Sequence, residues 1–163
     1  MKIKILLVGL LLSLMTSAQI RKGESAYTVI NFATDPWASI KEEGPNLSIE
    51  LERVQNFGYI KTGLEVFPVL EGGYNYLYAA FGFNLKVGHF DNWRLYSGIK
   101  AGPVYRANNL YVNYGFEAGI NYVFDSGLIL GLKTDAIYRD DFMSWGGDPI
   151  FRGSGYLLIA FKL

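Results

Sequence analysis

The chain has 163 residues, 15 basic and 15 acidic side chains, one histidine, no cysteine, 19 glycines, 12 tyrosines and 11 phenylalanines, and half of it is hydrophobic. The missing cysteine excludes a disulfide-stapled mini-domain, a cysteine-ligated metal and a cysteine nucleophile. The balanced charge argues against a nucleic-acid-coating surface, and the apolar and aromatic content argues against intrinsic disorder.

Met1-Lys2-Ile3-Lys4 brings two positive charges, Ile5 to Met15 is apolar apart from Gly9 and Ser13, and Thr16-Ser17-Ala18 offers small residues before Gln19. These are the three regions of a secretory signal peptide, expected over 1–18, with one domain over 19–163. The apolar run is shorter than the roughly 20 residues that a spanning helix needs. Without Lys2 and Lys4 the 15 basic residues become 13 against 15 acidic ones, a mature charge of about −2. The remainder has no apolar run of helix-spanning length, so any membrane crossing must use strands.

Eight runs have strand character: 25–34, 46–54, 57–67, 73–88, 92–105, 110–124, 127–139 and 153–163. Links one, three, five and seven are read as the longer ones: Asp35–Pro45, Pro68–Gly72, Arg106–Asn109 and Asp140–Arg152. Links two, four and six are short, at Gln55-Asn56, His89-Phe90-Asp91 and Asp125-Ser126, with hairpin chemistry such as Asp125-Ser126-Gly127. In an up-and-down meander, odd links share one end and even links the other. Long loops at one end and tight turns at the other are the asymmetry of a transmembrane barrel.

Alternate residues of a strand face opposite sides. In 110–124 one stripe reads Leu110, Val112, Tyr114, Phe116, Ala118, Ile120, Tyr122 and Phe124. The other reads Tyr111, Asn113, Gly115, Glu117, Gly119, Asn121 and Val123. The same division runs through the other strands: Phe81 and Phe83 oppose Gly82 and Asn84, and Leu130 and Leu132 oppose Gly131 and Lys133. Gly63, Gly82, Gly98, Gly102, Gly115, Gly119 and Gly131 fall on the polar stripe, and the apolar stripe is read as bulky and free of glycine. An eight-stranded interior is only wide enough for side chains to fill, so long polar side chains inside need glycines beside them. The polar stripe is therefore expected to face inward and the apolar stripe lipid. Trp93, Tyr122, Phe124 and Phe161 near one rim, and Phe32, Tyr105 and Tyr138 near the other, have the placement of interfacial aromatic girdles.

On these residues the chain resembles the small eight-stranded outer-membrane barrels of the OmpA/OmpX type, over essentially all of 24–163. The final strand carries the same likeness. Leu157, Ile159, Phe161 and Leu163 alternate to the last residue, in a segment of the kind that barrel-insertion machinery recognises, although the usual last residue is Phe. The resemblance implies an all-β, antiparallel, up-and-down transmembrane barrel in the outer membrane. The implied partners are outer-membrane lipid, lipopolysaccharide and the insertion machinery, with an extracellular ligand or surface partner as a further one and no nucleic acid.

Glu50, Glu52, Lys61, Glu65, Lys86, Arg94, Lys100, Glu117, Lys133, Asp135 and Arg139 all lie on the polar stripe. Because unpaired buried charge is costly, they are expected to pair in a side-chain-filled lumen. A narrow, slightly anion-favouring pore is the other reading of that stripe. No catalytic residue, cofactor or metal is expected. His89 sits in a turn with no serine in the local pattern, and Asp140, Asp141 and Asp148 match no EF-hand spacing. The residues expected to touch a partner are Trp37 in the first long link and Phe142, Trp145 and Phe151 in the last. The role expected is structural or surface interaction through the outer loops, without catalysis. A secreted soluble barrel enclosing a lipophile, or less directly a lipid-modifying outer-membrane enzyme, is the alternative.

Overall fold

The structure, a computed structural model, describes residues 26–87, 92–145 and 150–163, the side chains of 143–145 excepted. The expected signal peptide, His89, Asp148 and the Gly146-Gly147 pair lie outside the described residues. The chain forms eight strands: β1 Tyr27–Thr34, β2 Leu47–Val54, β3 Gly58–Phe67, β4 Tyr74–Val87, β5 Trp93–Arg106, β6 Asn109–Val123, β7 Leu128–Arg139 and β8 Ile150–Lys162. Each pairs antiparallel with its neighbours in sequence, and β8 returns to β1, with Asn31 opposite Ala160, to close the barrel in the order β1 to β8. Closure leaves no strand edge unpaired. No helix among the described residues is long and apolar enough to cross a membrane.

The alternation in sequence becomes an inside and an outside. On β3, Tyr59, Lys61, Gly63, Glu65 and Phe67 are buried while Ile60 and Leu64 are exposed. On β6, Asn113, Gly115 and Glu117 are buried while Leu110, Val112, Tyr114 and Phe116 are exposed. The exposed side chains form a band of Ile49, Phe81, Phe83, Ile99, Phe116, Leu132 and Ile159 around the wall, with Phe83 81% exposed. Water would leave that whole belt uncompensated, whereas hydrocarbon matches it. Aromatic contacts concentrate toward the rims. Trp93, Tyr122 and Phe124 meet edge to face at one rim; near the other, Tyr114 stacks on Tyr138, which meets Phe151 edge to face.

Glycines make the close inter-strand approaches possible. A Cβ on Gly102 would lie 2.0 Å from the Leu77 carbonyl oxygen and 2.6 Å from the Tyr78 Cα, both backbone atoms of β4. The outer stripe is not free of glycine, however. Gly153 and Gly155 lie on it in β8, opposite Ala136 and Thr134, where a Cβ would meet almost nothing.

The β1–β2 connection contains a short helix, α1 Pro36–Lys41, with Asp35 as its N-cap, accepting from the Ala38 amide, and Pro36 at its first position. Proline there gives up a donor that has no partner in the helix anyway. The β7–β8 connection opens with a 3₁₀ helix, Asp140–Trp145. Two elements differ from the sequence-based expectation. The β5–β6 link is not long: the ladder runs to Arg106–Asn109, and Ala107 and Asn108 turn the chain with φ of 48° and 63°. Both central residues at positive φ make the turn that matches strand twist. Its sequence signal is weak because Ala107 is atypical there. The eighth strand begins at Ile150 rather than 153, because Phe151 and Arg152 already pair with Tyr138 and Ile137 of β7.

Candidate functional site

The lumen is the most chemically elaborate part of the molecule. Glu50, fully buried on β2, is its hub. It accepts from Tyr78 Oη at 2.5 Å, Lys133 Nζ at 2.6 Å, Asn31 Nδ2 at 3.1 Å and Lys61 Nζ at 3.2 Å. Those partners come from β4, β7, β1 and β3, so one carboxylate ties together strands from all round the barrel. Lys61 also reaches Glu117 Oε1 at 2.9 Å, which Tyr59 contacts as a donor at 2.6 Å. Lys100 meets Asp135 at 2.6 Å and approaches Glu65 at 3.9 Å. Glu65 accepts from Asn46 and from Tyr156. Toward the turn rim, Arg94 pairs with Glu52 and donates to Asn84.

Tyrosine faces fill the remaining space and hold the cations. Lys100 lies 3.8 Å above the Tyr78 ring and Lys133 4.3 Å from the Tyr156 ring, while Arg94 stacks near Tyr59 and Tyr96. Such contacts are strongest where the cation has lost its water, as here. The rings need room. The Tyr96 and Tyr78 hydroxyls occupy the positions where Cβ atoms on Gly119 and Gly63 would lie.

At the rim that carries the 35–46 and 140–149 connections, the 3₁₀ helix folds inward. Asp141, fully buried, receives Arg139 through two hydrogen bonds of 2.6 Å, Arg106 at 2.8 Å and Asn113 at 3.1 Å. Burial by itself raises a carboxyl pKa. The Arg139 and Arg106 contacts, with Asn113, outweigh it and hold Asp141 at about 2. Phe142 lies within cation–π range of Arg106, Arg139 and Arg152. Together, Asp141 and Phe142 cap the lumen.

Of the residues singled out in the sequence, Glu50, Glu52, Lys61, Glu65, Arg94, Lys100, Glu117, Lys133 and Asp135 are buried inside the barrel. Arg139 belongs to the cap. Lys86 is partly buried on the inner stripe of β4, opposite Arg94. Trp37, on α1, is 77% exposed. Phe142 points to the arginines of the mouth rather than outward to a partner. Phe151 is not a loop residue: it lies on the outer face of β8, packed edge-on against Tyr138. Trp145 ends the 3₁₀ helix, and its side chain lies outside the described residues. Asn31, Asn46, Asn113, Tyr59, Tyr78, Tyr156 and Asp141 are site residues that the sequence did not single out for the network. For all but Asp141, which lies in the 3₁₀ helix, only a place on the inner stripe could have pointed to them. Among the described residues, no group of three or more His, Cys, Asp or Glu side chains could hold a metal ion.

A closed meander with a charged, filled interior and an apolar exterior is the architecture of a small transmembrane β-barrel. The chain is similar in structure to the Yersinia pestis outer membrane protein Ail in a phospholipid bilayer nanodisc. The two share 12% identity over 87% of this chain and 100% of that one, with a TM-score of 0.54. It is also similar to Neisserial surface protein A, with 12% identity over 87% of this chain and 99% of that one and a TM-score of 0.53. At such identities the likeness is one of fold. No protein-family profile matches the chain, and no curated protein matches it either.

Proposed function

We propose that the chain is an outer-membrane barrel, delivered by a cleaved signal peptide over 1–18, that works at the cell surface without catalysis or conduction. The observation that carries this reading is the contrast between a stitched, capped interior and solvent-exposed side chains on the rim. Glu50, Glu117 and Asp135 and their lysines cross the lumen in ion pairs of 2.6 to 3.2 Å, leaving the loops as the part that meets the outside. Buried charges held by several partners do not move aside at low cost. At the rim, Trp37 and Ile40 lie three residues apart on α1 and are each more than three-quarters exposed. Residues at that spacing share one face of a helix, and exposed loop aromatics are common contact points. Outer-membrane lipid and lipopolysaccharide surround the belt in this reading, and a surface partner or extracellular ligand meets α1.

The test displays the chain on cells and compares it with the Trp37→Ser and Ile40→Ser variants. Both variants should assemble normally, shown by an unchanged shift in gel mobility between boiled and unboiled samples. Both should lose adhesion to host surfaces or to purified surface glycans. Normal adhesion by both variants would remove α1 from the function.

A further inference from the structure

Every second residue of each strand faces outward, and among the described strand residues Arg53 is the only charged one that does so. Its register partners, Thr28 on β1 and Ile60 on β3, face outward too, and its chain neighbours Glu52 and Val54 are buried. Arg53 stands near the end of β2, two residues before the tight turn at Gln55-Asn56. A cation at that height can lay its stem along an apolar wall and carry its head to the polar edge of a bilayer.

The guanidinium is not used by the protein. Among the described residues no carboxylate pairs with it. Nη1 donates to Thr28 Oγ1 at 2.9 Å, and Nε is enclosed with no hydrogen-bonding partner. That leaves Nη2 and the second proton of Nη1, an edge that meets a phosphate through two parallel hydrogen bonds. Thr28 Oγ1 accepts from Arg53, so its own proton is left to donate. The free donors therefore sit on two side chains whose polar atoms are only 2.9 Å apart. From this pair toward the middle of the wall, the outward face of the β1–β2 seam is apolar. Leu51 lies opposite Ile30 and Ile49 opposite Phe32, with Phe161 of β8 on the far side of Ile30. A cationic head at the rim above an apolar seam is complementary to a phosphate above acyl chains. We propose that Arg53 and Thr28 bind the phosphodiester of one glycerophospholipid in the leaflet on the tight-turn side, with its acyl chains along the β1–β2 seam. The proposal rests on the transmembrane barrel and is independent of α1.

The test titrates phosphatidylglycerol into the refolded barrel in detergent and counts retained lipid by native mass spectrometry. Diacylglycerol supplies the same chains without the phosphate. The parent should retain one phosphatidylglycerol, saturably, and no diacylglycerol. Arg53→Gln should weaken that retention at least tenfold. Arg53→Lys, which keeps the charge without the fork, and Thr28→Val should each weaken it by less. Lys162→Gln removes a charge from the same rim but from the inner stripe, and should retain lipid as the parent does. So should Glu24→Gln, which removes the carboxylate that precedes β1 in sequence. The shift in gel mobility on boiling reports folding in each case. Its absence in the parent would overturn the barrel itself, whereas a normal shift without phosphatidylglycerol retention would overturn the site alone. Equal retention of diacylglycerol, or equal losses in Arg53→Gln and Lys162→Gln, would also overturn the site. Tighter retention by Glu24→Gln would do so too, by showing the guanidinium already taken within the chain. Should Arg53→Gln fail to fold, Arg53→Lys and Thr28→Val carry the same comparison.

Discussion

Glu50 shows how much a single lumen residue carries. Its carboxylate accepts from four side chains, and among the described residues Lys133 has no other carboxylate within salt-bridge distance. Glu50→Ala strands that lysine and should cost about 3–5 kcal/mol in urea unfolding. Lys41→Ala should have no measurable effect, because the Lys41–Glu42 pair on α1 is largely solvated and such pairs contribute little. Asp141 carries a pH dependence of known sign. Its pKa is depressed to about 2, so the stability it gives the cap is fully present above the ordinary carboxylate range near 4. That stability is lost as pH falls from about 4 through about 2. The protection factors of the 3₁₀-helix amides, taken against the intrinsic exchange rate at each pH, should therefore stay high at pH 5 and fall on acidification in that window, whereas Asp141→Asn should already show low protection at pH 5. At this scale the charged members of the network were legible, because they repeat at every second position. Their partners were not. Tyr59 and Glu117 are 58 residues apart and meet only across a closed lumen, a relation set by strand tilt that no local pattern contains.

At the scale of elements, the strands were legible to within a few residues because inward and outward positions differ in chemistry along their whole length. The ends were less so. The β5–β6 turn uses Ala107 at positive φ, and β8 starts inside what reads as a loop, since Phe151 and Arg152 look the same in sequence whether paired or free. Glycine placement separates two roles that composition merges. Gly102→Ala drives a Cβ against the β4 backbone, so it should slow barrel assembly and lower the yield of the heat-shifted band. Gly155→Ala, with nothing within 4 Å of the new Cβ, should assemble as the parent does. Equal yields for the two variants would show that the close β4–β5 approach is not required.

For the whole molecule, the decisive feature is that the usual arrangement is inverted: charged side chains fill the centre and leucine, isoleucine and phenylalanine cover the wall. A soluble ligand-binding barrel would place Phe83 and Leu130 inside, whereas both face outward. Phe83→Arg or Leu130→Arg should hinder bilayer assembly, with a cost of up to about 2–4 kcal/mol nearest the bilayer midplane. Planar-bilayer recordings of the parent should show no steady conductance, since the ion pairs of Glu50, Glu117 and Asp135 cross the lumen. The chain has no cysteine, which permits a more direct measurement: a spin label on Leu132→Cys, at the outward position next to lumen-facing Lys133, in protein reconstituted into phospholipid. Relaxation of that label by oxygen, with protection from a water-soluble nickel complex, is the result expected of a wall that faces hydrocarbon. Ready access of the nickel complex with little effect of oxygen would contradict a transmembrane barrel.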